Sequence, residues 1–273
     1  MLTERRGPGV RPRGPLLRPV PAPPGGNVPA EQIDLDVIVP ALNESSRIGR
    51  TLEDLAGRLS RQWFTSRLIV VDNGSVDSTL EVIDSVDTGQ IPVEVLSCRA
   101  RGKGAAVKVG VERATATFVG YVDADASTPP EALLTAMAVL DSGWDVVVAS
   151  RRAVGASYVV PQSLTRRVGS RLFNIGACTV VGRMSDTQCG MKVFRTAAVR
   201  ELFAEVTLGG FAFDVEVLAR AQRAGLRIME IPVSWSDSVG SSFRPVRDGS
   251  QAFRDLVRVH RVMSRGGEDP RCS

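Results

Sequence analysis

The sequence predicts one α/β domain built on a doubly wound, mostly parallel central sheet. Three observations lead there. Short apolar runs recur as strands, amphipathic helical patterns alternate with them, and the strand ends carry acidic and amide side chains. A chain of 273 residues that is 43% hydrophobic can bury one substantial core of this kind, and nothing points to a second catalytic domain.

Taken in order, strands are expected near 35–40, 67–72, 92–97, 117–123 and 144–149, with helices near 44–60, 77–86, 103–114 and 130–141 between them. The first run leads into Asn43-Glu44, and the second into Asp72-Asn73-Gly74-Ser75. The run Phe118 to Val122 stops at Asp123 and Asp125, just before a turn with Pro129 and Pro130. The second half is mixed: a helix near 162–181, a strand near 191–195, helices near 197–204 and 213–224, and a strand near 227–235, with Gly225 stopping the helix before it.

The ends of the chain read differently from its body. Residues 1–30 hold eight of the sixteen prolines, five arginines and one acid, the composition of a disordered tail. Without that tail the body carries 29 basic and 29 acidic side chains, so the net charge of +4 belongs to the tail. The body is therefore no nucleic-acid-binding domain by charge. Residues 251–273 read as an amphipathic helix and tail, with Arg254, Arg258, Arg261 and Arg265 on one face and Phe253, Leu256, Val257 and His260 on another. Such a helix either packs its apolar stripe on the core or lies on an anionic membrane.

No run approaches the roughly 18 apolar residues that span a bilayer, and the early arginines lack the hydrophobic segment of a signal peptide. A cytoplasmic protein is expected, with peripheral contact at the inner face of a membrane left open. Cysteines 98, 178, 189 and 272 show neither CxxC pairing nor dense spacing, so reduced thiols are the simplest reading.

The chemistry concentrates at the strand ends. Asp123 and Asp125, spaced i, i+2, leave their strand toward the crevice where ligands of open α/β sheets bind. Mg²⁺ or Mn²⁺ suits them best, because hard divalent ions prefer oxygen ligands and share substrate phosphates. The competing reading is a turn in which one of them caps the helix beginning near Pro129. Asn43, Glu44 and Asp72 offer acceptors for the imide N–H of a base and the hydroxyls of a ribose, with helix capping as the alternative for Asn43.

Arg101-Gly102-Lys103-Gly104 reads as a glycine-broken loop entering a helix whose first N–H groups and two cations favour an anion. It lacks the full GxxxxGK[ST] pattern, which removes support for an ATPase. Arg151 follows the strand near 144–149, and Arg166 and Ser170 stand four apart on one face of the helix near 162–181. Cys189 has no adjacent base, since the sole histidine is His260, so nucleophilic cysteine chemistry is disfavoured.

Seven segments together carry a resemblance: Val39-Pro40-Ala41-Leu42-Asn43-Glu44, residues 70–79, Arg101-Gly102-Lys103-Gly104-Ala105-Ala106, Asp123-Ala124-Asp125, Ser150-Arg151, Asp186-Thr187-Gln188-Cys189-Gly190-Met191-Lys192 and Phe211-Ala212-Phe213-Asp214-Val215-Glu216. In this order, over about residues 35–245, the chain resembles the inverting GT-A glycosyltransferases of family 2, in the branch of dolichyl- and polyprenyl-phosphate sugar synthases. The resemblance implies a GT-A domain over 31–250, with a nucleotide-binding half near 35–150 and an acceptor half near 151–250. It implies a nucleotide-sugar donor contacted by Pro40, Asn43, Glu44, Asp72, Asn73, Lys103, Asp123, Ala124 and Asp125, with Mg²⁺ or Mn²⁺ on Asp125 and Asp123. Arg151, Arg166, Ser170 and Gln188 would serve the diphosphate or the acceptor, and Arg244 and Arg247 would close over the diphosphate. The family's catalytic carboxylate maps to Asp214.

Thr187 to Gly190 look more like the UDP-glucose-using than the GDP-mannose-using synthases, so the implied reaction moves glucose from UDP-glucose to a polyprenyl phosphate with inversion. Two positions depart from the pattern. Asn73 stands where a second aspartate is usual, and Ser127 where the mannose synthases often have a glutamine that helps with the metal. A phosphate monoester is already ionised near neutral pH and needs orientation more than deprotonation, whereas an alcohol needs a true base. The alternatives are a soluble glycosyltransferase acting on a small hydroxylated acceptor and a non-catalytic nucleotide-sugar-binding protein. A nucleotidyltransferase would not need the 186–192 segment.

Overall fold

The computed structural model describes residues 33–158, 164–182, 184–210, 212–235 and 254–263, with the side chains of 158 and 164–172 outside the description. The tail over 1–30 also lies outside it. The elements run β1 (Leu35–Ala41), α1 (Ile48–Leu59), β2 (Ser66–Asp72), α2 (Thr79–Ser85), β3 (Val93–Ser97), α3 (Lys103–Arg113), β4 (Phe118–Tyr121), α4 (Glu131–Asp141) and β5 (Val146–Ser150). They continue with β6 (Ser157–Tyr158), α5 (Leu164–Val181), β7 (Lys192–Arg195), α6 (Thr196–Glu205), α7 (Phe213–Arg223), β8 (Ile228–Pro232) and β9 (Ser234–Trp235). A last helix, α8, covers 254–263.

Seven strands form one sheet in the order β3-β2-β1-β4-β7-β5-β8. All its pairings are parallel except those of β7, which runs antiparallel to both β4 and β5. The short strands β6 and β9 pair separately. Because helices cover both faces, the central strands are near-continuous apolar runs, as in Leu35, Val37, Ile38 and Val39, all fully buried. Leu52, Leu55, Leu133 and Met137 of α1 and α4 pack on one face. Val107, Ala177, Phe203, Val215 and Leu256, from α3, α5, α6, α7 and α8, pack on the other.

One polar residue inside that core has an evident purpose. Asp36 is fully buried, forked by Arg67 Nε and Nη2 at 2.8 and 2.9 Å, and it accepts the backbone N–H groups of Thr115 and Ala116 at 2.7 and 3.0 Å. It thereby fixes the turn that delivers the chain from α3 into β4, the strand that ends at the acidic pair.

The expected elements are present, with two corrections of detail. The first helix begins at Ile48 rather than near 44, because residues 44–47 form a turn in which Arg47 and Ile48 N–H groups bond back to the Glu44 carbonyl at 3.0 and 2.9 Å. In α8 the buried apolar stripe is Leu256, Val259 and Met263, while Val257 and His260 are exposed. A stripe of three residues spaced 3 and 4 apart turns the other two outward with the arginines; Phe253 and Arg265 lie outside the described residues.

The site is positioned by a register break. β1 pairs with β2 as far as Ala41↔Asp72 but with β4 only as far as Ile38↔Tyr121. Connections lead from β1 toward β2 and β3 on one side and reach β4 on the other, so the carboxyl ends of β1 and β4 flank a topological switch point. Pro40, one residue short of the β1 end and lacking an N–H to donate, lies where β1 has already parted from β4.

Candidate active site

At the ends of β1 and β2 two turns are locked together. Asn43, with φ of 55°, donates its N–H to Ser75 Oγ at 2.9 Å and accepts Val76 N–H on Oδ1 at 2.8 Å. Glu44 N–H reaches Thr79 Oγ1 at 2.8 Å, and Ser45 N–H reaches Asp77 at 3.2 Å. Hydrogen bonds from Thr79 and Ser45 hold the Asp77 carboxyl down to about 2. The buried Asp72 carboxylate accepts the N–H groups of Gly74 and Ser75 and shapes the second turn.

Asn73 explains its own departure from the family pattern. Its amide nitrogen donates to the carbonyls of Ala100 and Cys98 at 2.6 and 3.3 Å, and its oxygen accepts Gly102 N–H at 2.7 Å. An aspartate at 73 could accept but not donate, so the amide is what ties the β2 end to the 98–102 loop.

That loop corrects the reading of an open anion site at the start of α3. The Gly104 N–H is taken by the Gly209 carbonyl at 2.9 Å, and the Ala105 N–H is shared between the Gly102 carbonyl at 3.1 Å and that of Gly209 at 3.4 Å. Gly102, at φ of 114°, has no room for a Cβ against the same carbonyl. The loop instead delivers Lys103, whose Nζ meets Asp123 Oδ1 at 2.5 Å with the two side chains 16% and 34% exposed. Burial would lower the Lys103 ammonium, but Asp123 and Asp214 outweigh it and raise it.

The two carboxylates of the acidic pair are not equivalent. Asp123 is engaged by Lys103 and packs against Gly190, where a Cβ would collide with its carboxylate. Asp125 Oδ1 accepts Ser127 N–H at 3.0 Å across Ala126, which has φ of 54°. Ala124 is buried and its carbonyl accepts Thr51 Oγ1 at 2.8 Å, anchoring the acidic turn to α1. Nearby, Arg47 is forked onto Glu44; that hydrogen bond first, and then the attraction of Asp125 and Asp123, raises its guanidinium. Oxygen donors thus cluster here, but among the described residues no group of three or more His, Cys, Asp or Glu converges as a ready metal site.

Behind the acidic pair lies a sealed cluster. Lys192 on β7 is fully buried and stands directly opposite Tyr121 on β4. Its Nζ contacts Asp214 Oδ1 at 2.6 Å and donates to the Cys189 carbonyl at 2.9 Å. Tyr121 donates its hydroxyl to the same Asp214 Oδ1. Asp214 sits in the first turn of α7, where the helix dipole favours a negative charge, and its side chain is only 4% exposed. The Tyr121 ring has the ammonium groups of Lys192 and Lys103 at 5.5 and 5.7 Å from its centroid and packs against Phe213 and Phe194. Burial first, then Asp214, pushes the Tyr121 phenol well above its usual range. Glu216, also in the first turn, accepts the N–H groups of Thr207 and Leu208 and is forked by Arg220, so it fixes the loop before α7.

The 186–190 segment is held from both ends. Arg151 forks Asp186 with Nε and Nη2 at 2.6 and 2.9 Å and stacks its guanidinium 5.4 Å from the Trp235 ring. Burial alone would raise the Asp186 carboxyl, but the Arg151 fork outweighs it and holds it below the usual carboxylate value. Glu230 on β8 accepts the N–H groups of Ser185 and Asp186 at about 3 Å. Gln188 donates its N–H to Asp186 at 3.1 Å, while its side-chain nitrogen and the Thr187 hydroxyl are buried with no hydrogen-bond partner. Cys189 is fully buried and its thiol is pushed up by that burial, the environment of an inert cysteine.

Asn43, Glu44, Asp72 and Asn73 thus follow the ends of β1 and β2, the acidic pair follows β4, and Asp214, Lys103 and Asp123 meet around Tyr121. The Arg166 and Ser170 side chains, and Arg244 and Arg247 altogether, lie outside the described residues. Arg47 and Tyr121 escaped a functional reading in the sequence, and Gly190 and Lys192 read there only as members of the 186–192 segment, with no role of their own. The signal for Lys192 is a lone charge inside the apolar run Met191 to Phe194, and for Tyr121 its i, i+2 spacing to Asp123 on one side of a strand.

The mostly parallel sheet with one antiparallel insertion, and carboxylates at its switch point, is the GT-A architecture of glycosyltransferases. Glycosyl transferase family 2 matches residues 36–203, and the chain belongs to that family. The dolichyl-phosphate beta-glucosyltransferase of Dictyostelium discoideum is 32% identical over 247 residues, covering 85% of this chain and 75% of that protein. The enzyme so named from Drosophila melanogaster is 31% identical over 242 residues, covering 83% and 74%. Among solved structures, glucosyl-3-phosphoglycerate synthase from Mycobacterium tuberculosis, in complex with Mn²⁺, UDP and glucosyl-3-phosphoglycerate, matches with a TM-score of 0.65 at 18% identity over 85% of this chain and 80% of that one. The protein is a glycosyltransferase enzyme.

Proposed function

We propose that this glycosyltransferase moves glucose from UDP-glucose to a polyprenyl phosphate with inversion at the anomeric carbon. The observation that carries the acceptor class is the state of Asp214. Its carboxylate is almost wholly buried, with Oδ1 already taken by Lys192 and Tyr121 and Oδ2 left on the acceptor side. A carboxylate held in one orientation suits a phosphate monoester, which is already largely ionised near neutral pH and needs positioning more than deprotonation, whereas an alcohol calls for a true base. The names of the Dictyostelium and Drosophila relatives support the same acceptor and sugar.

In this reading Asn43, Glu44 and Asp72 receive the uridine, with Pro40, Asn73 and Ala124 shaping the walls of the crevice, and Lys103 faces the diphosphate. The donor set fits a divalent ion: Asp125, with Asp123, offers hard oxygens, and with no third carboxylate in reach among the described residues the donor phosphates would complete the shell. A bound Mg²⁺ or Mn²⁺ supplies charge neutralisation for the departing UDP. Arg151, through the Asp186 fork, orients the segment carrying Gln188, while Arg166, Ser170, Arg244 and Arg247 supply further contacts to acceptor phosphate and diphosphate. No helix among the described residues is long and apolar enough to cross a membrane. The exposed Arg254, Arg258 and Arg261 of α8 would give the enzyme peripheral purchase on an anionic surface at the cytoplasmic face.

The test is UDP release from UDP-glucose and Mn²⁺ in detergent, with and without a polyprenyl phosphate. Release that rises with the lipid is expected. Release indifferent to lipid in a protein that binds UDP would transfer the assignment to a small hydroxylated acceptor.

A further inference from the structure

Lys192 poses a physical question that the fold does not answer. It lies on β7, an interior strand of the seven-stranded sheet that runs antiparallel to both of its neighbours, with no exposed surface. A buried ion pair is seldom worth more to stability than well-packed apolar side chains of the same volume, so the core itself has no need of a lysine there. What the ammonium does is join three parts of the site. It contacts Asp214 Oδ1 from α7, donates to the Cys189 carbonyl of the 186–190 segment, and lies 5.5 Å from the ring of Tyr121, its cross-strand partner. Tyr121 adds its hydroxyl to the same carboxylate oxygen. Both donors converge on Oδ1, and among the described residues no donor reaches Oδ2.

We infer that Lys192 and Tyr121 are positioning residues. Together they hold Asp214 as an oriented carboxylate with Oδ2 presented to the acceptor, and through Cys189 they tie that carboxylate to the 186–190 segment. The inference rests on the reading of Asp214 as the acceptor-side carboxylate. Lys192 acts through Asp214, so its removal changes the turnover of bound donor and leaves donor binding intact. Lys103 and Asp123, on the other side of the Tyr121 ring, remain to meet the diphosphate.

The experiment compares wild type, Lys192→Met, Tyr121→Phe and the double variant Lys192→Met/Asp214→Asn. It measures thermal unfolding, UDP binding by calorimetry, and kcat and KM for UDP-glucose in lipid-dependent transfer. For Lys192→Met, a fall in kcat of about 100-fold with KM for UDP-glucose within about threefold is expected, since a lost positioning contact acts after donor binding. Tyr121→Phe, which keeps the ring and removes one of two donors, should lose about tenfold in kcat alone. The double variant neutralises both charges and should regain the thermal stability that Lys192→Met loses, but not the turnover.

If Lys192→Met does not fold, Tyr121→Phe decides: kcat within about twofold of wild type overturns the inference. A folded Lys192→Met with wild-type kcat overturns it too, as does a loss confined to UDP binding or to thermal stability. A wild type that binds UDP but shows no lipid-dependent turnover refutes the acceptor assignment instead. The variants are then compared on whatever UDP release the wild type does show, and the same kcat criterion applies.

Discussion

Two lysine–aspartate pairs flank the ring of Tyr121, and they differ in little except their access to water. Lys103 and Asp123 meet at 2.5 Å with side chains 16% and 34% exposed; Lys192 and Asp214 meet at 2.6 Å with side chains 0% and 4% exposed. Near the surface such a pair is worth little to stability, and its cation can exchange for a metal ion or rearrange around a phosphate. Deep in the core the same pair cannot exchange partners, and breaking one side of it costs about 3–5 kcal/mol because the other charge is stranded. The open pair therefore suits the donor, whose charge comes and goes with each turnover. The sealed pair suits a carboxylate that must keep one orientation throughout.

The comparison breaks most sharply at Asp125. Asp125 follows β4 at the switch point beside the Lys103-paired Asp123, so Asp125→Ala should lower transfer by about 10³-fold if it holds the metal. Far-ultraviolet circular dichroism and the melting temperature should stay as in wild type. Retained turnover in that variant would remove the metal role from Asp125.

A third pair sharpens the distinction by burial. Arg151 and Asp186 form a fork whose side chains are 12% and 2% exposed, between the other two pairs, and Asp186→Asn should cost about 3 kcal/mol at neutral pH. The folded carboxyl titrates below its unfolded value, so its contribution is present above the unfolded pKa of about 3.9 and is lost as the pH falls through the lower folded value. Melting curves of wild type and Asp186→Asn should therefore lie far apart at pH 7 and converge under acid. A gap that stays constant from pH 7 to pH 3 would contradict the assignment.

The smallest effect is expected at Gly190. A methyl group there would push against the Asp123 carboxylate, which can yield toward the crevice because its pair is the open one. Gly190→Ala should weaken Mn²⁺ binding in the presence of UDP by about 30-fold, read by electron paramagnetic resonance, while the melting temperature changes little. A large loss of stability with unchanged Mn²⁺ affinity would mean that the glycine serves packing alone.

The sequence made the open half of this comparison legible residue by residue, and of the sealed half it pointed only to Asp214, through the resemblance. Asp123, Asp125, Asn43 and Asp72 are visible because each follows an apolar run at its end, and strand ends are local features. Lys192 acquires meaning only when β7 inserts antiparallel beside β4 and brings it opposite Tyr121, a pairing between residues 71 positions apart that no local pattern encodes. That the first N–H groups of α3 are partnered is invisible in the sequence for a similar reason, since the Gly209 carbonyl that takes the Gly104 N–H arrives from a distant loop. In α8 the periodicity was legible, but which apolar residues face the core depended on where the helix packs.

The central claim, that glucose goes to a lipid phosphate, is tested most directly by following the sugar itself. UDP-glucose labelled in the sugar would be incubated with the enzyme, Mn²⁺ and an equimolar mixture of polyprenyl phosphate and 3-phosphoglycerate. The label should enter the organic phase as a β-linked glucosyl phosphate. Label retained in the aqueous phase on phosphoglycerate, or an α-linked lipid product, would contradict the account.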